Sequence, residues 1–216
     1  MEESWSKEKQ EAEEYARMME RYAKYEIIPL AKKIAEDIPS KDLSFSLADI
    51  GSGPGLLSIE LAKRLPNATI TAVDFSRVML DIAERKAKEN NVTLEVMQSD
   101  IQNIEIADEH FDVILNRHTI HEVDNPVSFL KETFRLLKPG GNFFLIDFSG
   151  DHPSWKLRPL WLLIRIRSGK KSADGFWKSH KAGLKMDAVV KMCKEAGYAS
   201  VNAGPYGYAF YLNCQK

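Results

Sequence analysis

"LADIGSGPGLLSIELAKR", residues 47–64, sets an apolar run, a glycine-rich bend and a helical pattern back to back. Strand, bend and helix in that order make a cradle for a nucleotide-like ligand, because the bend brings bare backbone and the helix start to one point. The strand begins with "FSLADI" (45–50) and the helix reads "GLLSIELAKRL". Downstream the same alternation repeats: "ATITAVD" (68–74) as strand, "RVMLDIAERKAKEN" (77–90) as helix and "TLEVMQSD" (93–100) as strand. It continues with "FDVILNR" (111–117) as strand, "PVSFLKETFRLL" (126–137) as helix and "GNFFLIDFS" (141–149) as strand. Strands joined by helical crossovers predict an α/β chain whose mostly parallel sheet is covered on both faces. Asn90 and Asn91 stop one helix, Asn125 and Pro126 start another, and "KPGG" (138–141) ends that helix before its strand.

The flanks read differently. Tyr15, Met18, Met19, Tyr22 and Tyr25 fall on helical spacing within residues 11–38, which predicts one or two amphipathic helices bent near Pro29. Beyond residue 150 the alternation lapses, then resumes with "MDAVVKMCKEAGY" (186–198) as helix and the final strands within 199–216. The expected organisation is a single domain over 1–216: a helical cap over 1–41, a core over 42–150, a basic aromatic lid over 151–186, and a closing helix and strands over 187–216.

Charge sharpens this division. The net charge of -1 argues against wholesale nucleic-acid binding, yet residues 151–216 carry four acids against twelve bases. The N-terminus is charged from the start and no apolar run exceeds about ten residues, so neither a signal peptide nor a spanning helix is expected, and a cytoplasmic location follows. Cys193 and Cys214 lack C-x-x-C spacing and are expected to be ordinary reduced thiols.

The glycines of the cradle are Gly51, Gly53 and Gly55, and Leu56 stands where a dinucleotide site would need its third glycine. No G-x-x-x-x-G-K-[ST] loop is present either. "LADIGSGPG", an acid ending the second strand in "AVDFS", an acid ending the third in "QSD", "FDVILNR" and "LLKPGG" occur in one order. Together they resemble the Rossmann-like S-adenosylmethionine-dependent methyltransferases. "HTIHEVDNP" and the compact layout look most similar to the small-molecule group that includes ubiquinone and menaquinone biosynthesis enzymes.

The resemblance implies a three-layer Rossmann-like fold with a seven-stranded sheet, one strand antiparallel, and S-adenosyl-L-methionine as cofactor. It places the aminoacyl group on Gly51, Ser52, Gly53 and Gly55, with Asp49 ordering the ammonium. Asp74, followed by Phe75, would take the ribose hydroxyls, Asp100 and Ile101 would meet the adenine edge, Met79 would pack on its face, and Asn116 would close the methionine end.

Methyl transfer from a sulfonium is an in-line displacement, so holding the acceptor in near-attack geometry does most of the work. Where a proton must leave, His121 is the expected base, with His118 as its partner and Asp147 orienting either. His118-x-x-His121-Glu122 is not H-E-x-x-H and lacks a third ligand, so no metal is expected. The acceptor is expected against Tyr15 and Tyr22 from the first helix and Trp155, Arg158, Trp161 and Arg165 from the basic segment. That segment suits a lid over a small, aromatic or isoprenoid-like acceptor, or a peripheral contact with an anionic membrane. Two rivals stand beside this reading: an RNA or DNA base methyltransferase using the basic tail, and a protein that binds the cofactor without turnover. The fourth strand ends "NRHT", without the N-P-P-Y type sequence that would favour the first rival.

Overall fold

The computed structural model describes residues 2–39 and 43–216, with side chains from residue 8 onward. The junction expected at 41/42 lies outside the described residues. Two N-terminal helices, α1 (Glu2–Ala23) and α2 (Ile27–Asp37), precede the alternating core. The break falls at residues 24–26, and Pro29 sits inside the first turn of α2, where a missing N–H leaves no hydrogen bond unmade.

The core runs β1 (Phe45–Ile50), α3 (Leu56–Ala62), β2 (Ala68–Asp74), α4 (Arg77–Glu89), β3 (Glu95–Gln98), β4 (Phe111–Arg117), α5 (Pro126–Leu136) and β5 (Leu137–Phe148). It continues through α6 (Arg158–Ala182), α7 (Met186–Ala196), β6 (Ser200–Tyr206) and β7 (Ala209–Gln215). The seven strands lie in the order β3-β2-β1-β4-β5-β7-β6, and β7 runs antiparallel to both neighbours. This is the Rossmann-like methyltransferase arrangement expected, with six strands parallel and one reversed.

Period-two alternation sorts the sheet's side chains onto two apolar layers. Ile114, Phe143 and Leu145 face one cluster with Phe129 of α5 and Val189 of α7. Val113, Leu115, Phe144 and Ile146 face the other with Leu30 and Ile34 of α2 and Leu57 and Leu61 of α3. A third, smaller contact seats α1 on α4 through Ala12 and Ala16 against Val78 and Ile82, with Arg85–Glu13 and Lys86–Glu20 ion pairs beside it.

Two elements depart from the sequence reading. Residues 138–141 do not separate helix from strand; they are drawn into β5 as an irregularity, where the register jumps from Phe111↔Leu137 to Val113↔Asn142. The strand expected over 93–100 pairs only over Glu95–Gln98, as befits a sheet edge. The segment expected as a lid forms a short 3-10 turn (Ser154–Leu157) and the long helix α6, broken at Gly169 where φ is 85°.

Ile50 pairs with both Val73 and Asn116, so the carboxyl ends of β1, β2 and β4 finish at one level. The chain winds outward in opposite directions on either side of β1 and β4. A crevice opens where such winding reverses.

Candidate active site

A pocket of about 430 Å³ fills that crevice, within the range of roughly 300–1,000 Å³ usual for small-molecule sites. Its near wall is the quoted stretch. Gly51, Gly53 and Gly55 all take positive φ, and the space above Gly53 is open, so a ligand can rest on bare backbone there. Gly55 is small for a different reason: a Cβ would come within 2.7 Å of the Ala83 Cβ on α4.

Asp74 ends β2 at the pocket. One of its carboxylate oxygens accepts from the Gly53 N–H at 2.7 Å and the other from the Ser76 N–H at 2.9 Å. The same side chain therefore shapes the glycine loop and faces the cavity. Asp49 is buried, and burial pushes its carboxyl up to about 6 even though the Ser58 hydroxyl donates to it at 2.5 Å. Phe75, Met79, Asp100 and Ile101 complete this side, and Met79 stands in the first turn of α4, whose start Ser76 caps.

The opposite wall comes from distant parts of the chain. Tyr15 and Met19 of α1 and Ile27 of α2 look across at Arg117, His118, Thr119 and Glu122. Arg117, the last residue of β4, is paired with Glu26 from the turn between α1 and α2. Burial alone would raise the Glu26 carboxyl, but Arg117, His118 and a hydrogen bond from Tyr208 carry it down to about 2. His118 has φ of 55°, stacks on Phe148 at 4.4 Å, and is brought down to about 4 by burial and by Arg117. It is a neutral imidazole at pH 7.

The sequence-predicted residues thus divide. Asp49, Gly51, Ser52, Gly53, Asp74, Phe75, Met79, Asp100, Ile101, Tyr15 and His118 meet at one pocket. Gly55 underpins it. Asn116 does not line it: the side chain is fully buried and its amide donates to the Ile50 carbonyl at 2.7 Å, leaving Arg117 to Thr119 to face the cavity. His121 and Asp147 are joined, Nδ1 to Oδ1 at 2.6 Å, but both side chains are buried and neither lines the pocket.

Tyr22 meets Ser168 at 3.2 Å and so ties α1 to α6 instead of facing the cavity. Trp155, Arg158, Trp161 and Arg165 lie outside the pocket as well; Trp155 is exposed, and Arg165 stacks over the Trp161 ring at 5.3 Å. Glu26, Arg117 and Tyr208 were not singled out from sequence. Only Arg117 carries a signal there, a basic residue closing a strand whose middle, Val113 to Leu115, is apolar.

The near wall fits S-adenosyl-L-methionine on its own chemistry. A desolvated carboxylate, an open glycine backbone, a buried Ser52 hydroxyl without a partner and a carboxylate at a strand tip are what an ammonium, a carboxylate and a ribose diol require.

Comparison with known proteins agrees. Residues 48–145 match the methyltransferase domain family. A ubiquinone/menaquinone biosynthesis C-methyltransferase of Bdellovibrio bacteriovorus is 36% identical over 100 residues, 46% of this chain and 43% of that protein. A ubiquinone biosynthesis O-methyltransferase of Yersinia pestis is 28% identical over 132 residues, covering 59% and 54% respectively. The chain thus spans about half the length of the curated relatives it matches. A crystal structure of a SAM-dependent methyltransferase from Aquifex aeolicus superposes with a TM-score of 0.65 at 20% identity, over 86% of this chain and 88% of that one.

Proposed function

We propose, from the match of residues 48–145 to the methyltransferase domain family, that this chain is an S-adenosylmethionine-dependent enzyme that transfers a methyl group to a small-molecule acceptor seated between Tyr15 and His118. One observation carries the reading: the cofactor residues and a second, unrelated set of side chains share a single 430 Å³ cavity. When bound, S-adenosyl-L-methionine supplies an electrophilic methyl carbon, and its product is S-adenosyl-L-homocysteine.

The chain's own residues do the rest. Asp49 takes up the ammonium, Asp74 the ribose hydroxyls and Met79 the adenine face. Tyr15, Met19 and Ile27 exclude water and offer an apolar, partly aromatic surface, which suits an aromatic or isoprenoid acceptor. His118 presents a neutral ring that orients the acceptor, while the His121–Asp147 pair braces the turn that carries it. Where these residues hold the acceptor against the methyl carbon, positioning would supply most of the rate. In this reading the chain works without a nucleic-acid partner.

Calorimetry and labelling test this together. Wild-type protein should bind S-adenosyl-L-methionine, and Asp74→Ala should weaken binding at least about 100-fold, since two or more charge-assisted hydrogen bonds are lost. Label from tritiated methyl groups should enter the small-molecule or lipid fraction. His118→Ala should lower turnover and leave cofactor affinity nearly unchanged. Full-strength binding by Asp74→Ala, or label appearing in RNA, would overturn the assignment.

A further inference from the structure

The first half of α6 is apolar on two opposite sides. Its inner side is settled: Ile164 and, just ahead of the helix, Leu157 are buried. The outer side is not. Pro159, Leu162, Leu163 and Ile166 follow the spacing i, i+3, i+4, i+7 and so form one stripe. Leu162 is 51% and Ile166 74% exposed, and Trp155, one turn earlier, is 67% exposed. A globular protein gains nothing by turning such a stripe to water.

The charges around the stripe say what it fits. At 100° per residue, Arg158 and Arg165 edge it on one side and Arg167 on the other. Lys156 lies over the Trp155 ring at 5.6 Å. The sequence has no acid between Asp151 and Asp174. Beyond the break at Gly169 the pattern changes: Lys170 pairs with Asp174 and Lys171 with Glu11. Arg21 and Tyr22 hold the Arg167 carbonyl and the Ser168 hydroxyl from α1, which fixes the helix on its inner side and leaves the outer one presented.

We infer that this face docks on an anionic lipid surface, with Leu162, Leu163, Ile166 and Trp155 entering the headgroup boundary and the flanking arginines meeting lipid phosphates. A second copy of the chain is a poor occupant, because it would bring arginines against arginines. No helix among the described residues is long and apolar enough to cross a membrane, so the contact is interfacial. The inference stands independently of the methyl-transfer reading, since none of these residues lines the pocket.

Co-sedimentation of the full chain with vesicles tests it, using phosphatidylcholine alone and phosphatidylcholine with one third phosphatidylglycerol, at low and high salt. The chain should sediment with the anionic vesicles, release in high salt, and show a blue-shifted emission that Trp155→Phe diminishes. Replacing Arg158, Arg165 and Arg167 by Gln should cost about fivefold in partition per arginine. Leu162→Ser with Ile166→Ser should cost about tenfold or more at low salt. All these positions are exposed, and an unchanged circular dichroism melt checks that the variants fold. No binding at low salt, equal binding to neutral vesicles, indifference to both sets of variants, or dimerisation through the same residues would each overturn the proposal.

Discussion

The two walls of the pocket are built on opposite principles. The near wall, Asp49 to Asp74, comes from neighbouring stretches of chain and uses backbone, small residues and carboxylates at strand tips. The far wall joins Glu26, Arg117, His118 and Tyr208, separated by as much as 182 positions, and uses buried charges that satisfy one another. A wall of the first kind tolerates change in what it faces; one of the second kind is costly to disturb.

The comparison breaks most visibly at Glu26. Glu26→Ala leaves the Arg117 guanidinium buried without its carboxylate and should cost about 3–5 kcal/mol in urea unfolding. The double replacement Glu26→Leu with Arg117→Met should restore most of that. A single-variant loss under about 1 kcal/mol would mean the far wall is held by packing alone.

Acid should separate the walls next. The Glu26 carboxyl lies below its usual value, so its stabilising contribution is complete above about 4.5 and is lost as pH falls toward 2. His118, lowered to about 4, acts in the same direction: the unfolded chain takes up its proton first, and stability falls between pH 6.5 and 4. Asp49 has the opposite sign. With its carboxyl raised to about 6, the folded state keeps a proton that the unfolded state has released, so stability declines as pH rises from about 4 to 6. Cofactor affinity should therefore fall about tenfold per pH unit below 6, with proton release on binding, and Asp49→Asn should flatten that profile while stabilising the free protein. Calorimetry in buffers of different ionisation enthalpy reads both.

Smaller effects belong to the glycines. Gly55→Ala meets Ala83 and strains a left-handed residue, costing about 1–3 kcal/mol in thermal unfolding. Gly53→Ala meets nothing, so its stability loss should be limited to about 1 kcal/mol of backbone strain while cofactor affinity drops more.

The near wall was legible because its signals are local. The glycine spacing, Asp74 at a strand end and Asp100 after the next strand can be read from windows of a few residues. Strand and helix assignments followed for the same reason, and failed where tertiary pairing overrode local chemistry, as when β4 drew residues 138–141 into β5. Glu26 and Tyr208 carry no local mark at all: one sits in a helix-helix turn, the other in a hairpin, and only the folded chain brings them to Arg117. Asn116 illustrates the remaining ambiguity. A polar residue next to the end of a buried strand serves as well to satisfy a neighbouring carbonyl as to touch a ligand.

The reversed strand β7 also has a consequence for assembly. It lies between β5 and β6, so β6 reaches the sheet only through β7, and Tyr208 reaches Glu26 only once their hairpin has closed. On the ribosome, the glycine cradle and its carboxylates can emerge and pack while the partner that helps hold Glu26 is still unsynthesised. A nascent chain arrested before residue 200 should accordingly gain cofactor recognition earlier than it gains a finished acceptor chamber.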